Sequence, residues 1–181
     1  MEYQDTTKRG LRIFGLVIIC AVIISNTLLQ SITNILWLCN ISTLLAGVAL
    51  LLGRQQIALI GATYMILGLF FWLANVLVNH TFGNFSSYIT HICFAGAGVF
   101  IFRYIPIGRN LWIGCFAWYL LSQAMARIFS QPAENINLAF TIWPGWDRIF
   151  SNFFLFWSFT TLSCLAFLFF MNKIIWNLKY K

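Results

Sequence analysis

The sequence predicts an all-α, polytopic membrane protein of six transmembrane helices with both termini cytoplasmic, and three observations carry that expectation. First, 61% of the 181 residues are hydrophobic and only 8% are charged, at a mean hydropathy of +0.84. That is more apolar surface than one soluble core can hide. Second, the apolar residues gather in six runs, 11–28, 35–52, 57–78, 88–104, 109–129 and 150–171. Each is near the ~20 residues that cross a hydrocarbon layer ~30 Å thick, and in lipid such runs must be helices to pair their own backbone groups. Third, a six-helix layout puts Lys8, Arg9, Arg12, Arg54, Arg103, Arg109, Lys173, Lys179 and Lys181 on one side and only Arg127 and Arg148 on the other. Basic residues are retained on the cytoplasmic side, which sets the orientation. The net charge of +7 is then a membrane-boundary charge facing anionic lipid, with no nucleic acid implied.

Run 11–28 is long, lacks an A-x-A-like site after it and continues into polar Asn26 and Gln30, so it reads as a retained helix and not as a secretory signal. Run 35–52 contains "LWLCNISTLL", in which Cys39, Asn40, Ser42 and Thr43 interrupt an otherwise spanning segment. At helical spacing Cys39, Ser42, Thr43, Ala46 and Gly47 share one stripe. Gly61, Gly68 and Asn75 form a stripe on run 57–78, and His91, Ala95 and Gly98 another on run 88–104. Small residues let helices approach closely, so these stripes are expected to face inward. Run 109–129 ends with Tyr119, Gln123 and Arg127 at four-residue intervals. The connection 130–149, "SQPAENINLAFTIWPGWDRI", holds two prolines, two tryptophans and an apolar stretch too short to span, and is expected to be an interfacial or re-entrant segment at the outer end. The chain reads as one membrane domain.

Polar groups inside membrane helices are costly and mark interior faces or wet cavities. Here the topology gathers them in the outer halves. With ~1.5 Å rise per residue, Cys39 lies roughly 6 Å inside a helix beginning at Ile35 and His91 roughly 5 Å inside one beginning at Tyr88. A thiol beside an imidazole is the minimum for nucleophilic acyl chemistry: the base takes the thiol proton and the thiolate attacks an ester carbonyl. Cys39 and His91 are the candidate catalytic pair. Arg127 is a candidate anion holder, Asn135, Asn137 or Asn40 candidate oxyanion donors, and Asn75 and Gln123 further candidates for substrate binding. Each has a simpler reading: Cys39 as a small packing residue, His91 as an interhelical hydrogen bonder, Arg127 as a cation snorkelling to headgroups, Asn135 and Asn137 as turn formers. No CxxC, HExxH, GxGxxG or P-loop pattern is present and two histidines are too few for a multi-haem bundle, so no metal or other cofactor is expected.

"LWLCNIS" at 36–42, "THI" at 90–92 and "ENINLAF" at 134–140 resemble a group of small bacterial multi-pass membrane proteins. Their layout is similar to that of the integral-membrane phospholipid acyltransferases that use a Cys and a His, and more remotely to the androgen-induced protein family of lipid-ester hydrolases, which use a Thr and a His. The resemblance implies Cys39 as nucleophile and His91 as its histidine, and marks Asn135 and Asn137 as characteristic of the bacterial group. "WPGW" at 143–146 is a loose match to the proline- and aromatic-rich closing motif of the acyltransferases. The expectation is a thiol-dependent lipid acyltransferase or lipid-ester hydrolase of the cell membrane (plasma or inner membrane), with a pocket opening to the outer leaflet and membrane lipid as its partner. The alternatives are a non-enzymatic lipid-binding or permease-like protein and an accessory membrane subunit. The sequence leaves the oligomeric state open.

Overall fold

The computed structural model describes residues 2–28, 32–79 and 85–180. Among them the protein is all-helical, with six α-helices: α1 (Glu2–Leu28), α2 (Leu38–Leu51), α3 (Gln55–Asn79), α4 (Phe85–Tyr104), α5 (Leu111–Phe129) and α6 (Phe153–Tyr180). Short 3-10 turns occupy Ile32–Leu36, Pro132–Glu134 and Ile136–Leu138. Three stretches are long and apolar enough to cross a membrane: Thr7–Thr27 in α1, Gln55–Leu73 in α3, and α6. α1, α3, α4 and α6 extend beyond the apolar runs that mark them. α6 continues through Lys173 to Tyr180 and α1 begins at Glu2, because hydropathy reports the lipid-facing length whereas polar residues continue the helix beyond it.

α2 departs from expectation in the other direction. It is 14 residues long, about 21 Å, and begins three residues after Ile35. Trp37 takes an extended conformation (φ −58°, ψ 135°), which separates α2 from the 3-10 turn before it. At its far end Gly53 adopts φ +70°, a left-handed conformation that residues with a side chain rarely take. There the Gly53 N–H donates to the Leu50 carbonyl (3.1 Å) and the Arg54 N–H to the Ala49 carbonyl (2.7 Å), closing the helix with paired backbone groups.

The contacts group the chain into two compact units, Met1–Ile107 and Gly108–Lys181. In the first, α1, α2, α3 and α4 pack in sequence order, each against the next. Small residues set the spacing, as their stripes predict. A Cβ on Gly47 of α2 would come within 2.9 Å of the Gly15 carbonyl of α1, one on Gly68 of α3 within 2.7 Å of the Cys39 Cβ, and one on Gly98 of α4 within 2.9 Å of the Ala62 carbonyl of α3. Ser42, Thr43, Ala46, Ala58, Leu59 and Ala62 are fully enclosed between these helices.

The second unit is the α5–α6 hairpin with its long connection. Asn172 of α6 ties the start of the hairpin together: its Oδ1 accepts the Trp112 N–H and its Nδ2 donates to the Gly108 carbonyl, both at 3.4 Å. At the other end the connection folds back on the helices through an aromatic cluster. Trp146 stacks on Phe150 at 5.9 Å, and both lie against Phe156 and Phe159.

Candidate functional site

Cys39 lies in the first turn of α2, not a turn deep, because the helix begins at Leu38. His91 lies six residues into α4, about 9 Å from its start. Their distances from the helix ends differ, yet the side chains meet: Cys39 Sγ is 3.9 Å from His91 Nε2.

The imidazole is held in one orientation. His91 Nδ1 is 2.9 Å from the carbonyl of Ser87, one turn earlier on α4. A carbonyl only accepts, so Nδ1 carries the proton and Nε2 presents its lone pair to the thiol. That is the tautomer a general base for Cys39 requires. Trp72 of α3 covers the ring, stacked at 5.2 Å with 16° between planes. One turn before it Gly68 faces Cys39, so a single stripe of α3 makes room for the thiol and stacks on the imidazole. Trp72 carries no polar signal in the sequence; its place one turn beyond Gly68 on a small-residue stripe is the only clue to it.

A second set of bonds fixes the thiol's other neighbour. Asn40 Nδ2 donates to the Asn34 carbonyl (2.8 Å) and to Asn26 Oδ1 (3.3 Å), and Asn26 Nδ2 donates to the Val22 carbonyl (2.9 Å). Each amide nitrogen faces a backbone carbonyl, so neither side chain can be turned over. The Asn40 oxygen is therefore directed at the thiol, with Sγ to Oδ1 at 3.9 Å. The resting thiol thus has two acceptors at equal distance, only one of which can take its proton. The same orientation removes the Asn40 side chain as an oxyanion donor, a role the sequence left open. The Ile41 N–H donates to the Trp37 carbonyl at 3.0 Å, and the backbone N–H groups of Asn40 and Cys39 lie beside Sγ. Thr43 bonds back to the Cys39 carbonyl at 2.6 Å, as a membrane threonine is expected to.

Gln123, Arg127, Asn135 and Asn137 belong to the second unit, where they organise the connection. Gln123 is buried and both its N–H donors are engaged, one with the Tyr119 hydroxyl (2.8 Å) and one with the Asn137 carbonyl (3.4 Å). Its oxygen accepts the Trp157 indole N–H at 2.6 Å. Asn135 adopts left-handed backbone (φ 43°); its Oδ1 accepts the N–H groups of Phe140 (3.0 Å) and Thr141 (2.9 Å), and its Nδ2 donates to the Thr141 carbonyl (3.2 Å). Asn137, also left-handed (φ 56°), donates to the Ser122 carbonyl at 3.4 Å. These bonds hold Leu138 at φ 56°, which a branched side chain adopts only under constraint. Arg127 donates from Nε to the Ala139 carbonyl at 2.8 Å and lies 5.4 Å above the Phe153 ring. The side chain of Asn75 lies outside the described residues. Among the described residues no group of three or more His, Cys, Asp or Glu is placed to hold a metal.

Compared with family models, with curated proteins and with solved structures, the chain matches none.

Proposed function

We propose that the chain is a membrane-embedded thiol enzyme acting on ester bonds. Its particular reaction is acyl transfer from, or hydrolysis of, a membrane lipid ester. The observation that carries this reading is the orientation of His91: a Ser87 carbonyl on Nδ1 leaves Nε2 as the acceptor facing Cys39 at 3.9 Å. That distance is longer than a formed thiol–imidazole hydrogen bond, in keeping with ligand-free catalytic pairs that tighten when substrate binds.

In this mechanism His91 Nε2 takes the Cys39 proton and the thiolate attacks the ester carbonyl carbon. A sulfur–carbon bond forms as the carbonyl electrons move to oxygen, and the first-turn N–H groups of Cys39 and Asn40 stabilise that oxyanion. Collapse breaks the ester carbon–oxygen bond, and His91 returns its proton to the departing alcohol. A second alcohol, or water, then gives its proton to His91 and attacks the thioester carbon; the carbon–sulfur bond breaks, His91 returns the proton to sulfur, and the acyl group leaves on the new oxygen. The reaction requires no cofactor.

The setting proposed is a six-span, multi-pass protein of the plasma or inner membrane with both termini cytoplasmic. The nine-to-two distribution of basic residues and three stretches of spanning length support it. The resemblance of "LWLCNIS" and "THI" to Cys/His membrane acyltransferases points to the same chemistry. The test is to purify the protein and follow acyl transfer from labelled phospholipid. Activity that disappears in both Cys39→Ala and His91→Ala supports the mechanism; undiminished activity in both eliminates it. A lipid that co-purifies unmodified and is retained by Cys39→Ala would identify a non-enzymatic binding protein instead.

A further inference from the structure

We infer that Arg127 is the receptor for the phosphate of a glycerophospholipid headgroup, a site that stands whether or not the thiol reacts. Arg127 is exposed in the last turn of α5, and two contacts fix the plane of its guanidinium. Nε donates to the Ala139 carbonyl at 2.8 Å, and Cζ lies 5.4 Å over the ring of Phe153. Both Nη groups are left without a partner among the described residues. A snorkelling arginine needs only length and water; one pinned at Nε and stacked on a ring presents a fixed two-pronged edge.

The charge on that edge is not cancelled within the unit. Its two acidic residues are Glu134, which accepts the Gln131 N–H at 3.3 Å, and Asp147, which accepts the Gly145 N–H at 3.1 Å; neither pairs with Arg127. The level of the site follows from its neighbours. Phe153 is the first residue of α6, a helix long and apolar enough to cross a membrane, so Arg127 stands at the edge of that span. Trp146, 42% exposed beside Phe150, marks the same end of the hairpin with a residue that favours the headgroup layer. At that level the abundant anion with two equivalent free oxygens is the lipid phosphate, which a guanidinium edge binds with two parallel hydrogen bonds.

The test uses the full chain, delipidated in detergent and titrated in native mass spectrometry with dioleoylphosphatidylglycerol, dioleoylphosphatidylcholine, phosphate-free dioleoylglycerol, or inorganic phosphate as competitor. Both phospholipids are expected to be retained and dioleoylglycerol not. R127Q should lower phospholipid retention about tenfold, the loss of one charge-assisted pair. R127K, which keeps the charge and controls for folding, should bind several-fold more weakly than wild type because a lysine has no fork. Equal retention of dioleoylglycerol, wild-type binding by R127Q, or full rescue by R127K would overturn the proposal. Displacement of phospholipid by millimolar inorganic phosphate would overturn the lipid assignment and make the site one for soluble phosphate.

Discussion

Gly68→Ala is the substitution that most directly tests how the thiol is held. The added Cβ would lie 2.7 Å from the Cβ of Cys39, about 0.7 Å inside ordinary carbon contact. Neither atom belongs to a flexible side-chain tip, so α2 and α3 must separate or Cys39 must be displaced. Overpacking of this kind costs about 1–3 kcal/mol. If the displacement falls on Cys39 along the line to His91, the 3.9 Å separation grows to about 4.6 Å, beyond any proton relay. Misplacements of this size cost about tenfold or more in rate. The assay is the rate of Cys39 alkylation by N-ethylmaleimide in a background where Cys20, Cys93, Cys115 and Cys164 are replaced by alanine, read together with the melting temperature. Gly61→Ala is the comparator, since Gly61 packs on Ser42 and Ala46 two turns further along the same helix pair. Both variants should lose stability, but only Gly68→Ala should slow Cys39 strongly. A Gly68→Ala protein that melts and alkylates like its parent would refute the close approach and the site built on it.

Two further predictions separate holding from chemistry. Asn40→Ala removes one of the thiol's two acceptors and takes from Asn26 Oδ1 its donor and from the Asn34 carbonyl one of its donors; it should cost about 1–3 kcal/mol of stability while raising the alkylation rate of Cys39 roughly threefold, and a slower thiol would show that Asn40 assists it. Gln123→Leu strips partners from the Trp157 indole and the Tyr119 hydroxyl and should destabilise the α5–α6 hairpin by about 2 kcal/mol, measured by thermal unfolding; unchanged unfolding would mean that this amide is held for a ligand and not for the loop.

The readings of Asn135 and Asn137 show where sequence reasoning runs out. An asparagine in a loop offers the same donors to an oxyanion as to a neighbouring backbone. In this protein Asn135 spends its oxygen on Phe140 and Thr141, and Asn137 donates its amide to Ser122. Cys39 and His91 were legible as candidates because a thiol and an imidazole both interrupt apolar runs, although the equal depths assigned from the runs are not those the helix starts give. Trp72 was not, since an aromatic residue in an apolar helix carries no mark of what it covers. The direction of the Asn40 oxygen was equally hidden, because it depends on Asn34 and Asn26, six and fourteen positions away.

By itself the sequence determined the all-helical class and the inward faces of the helices. Apolar runs of spanning length admit no other backbone in lipid, and stripes of small residues mark where helices meet. It also nominated the thiol and the imidazole, whose types fix the chemistry they can perform. Only the tertiary structure decided that α2 starts at Leu38, which puts Cys39 in its first turn, and that a Ser87 carbonyl turns Nε2 of His91 toward the sulfur. Those outcomes depend on the tautomer, on which way each amide faces, and on where one backbone dihedral ends a 3-10 turn, all set by groups that spacing along the chain does not bring into view.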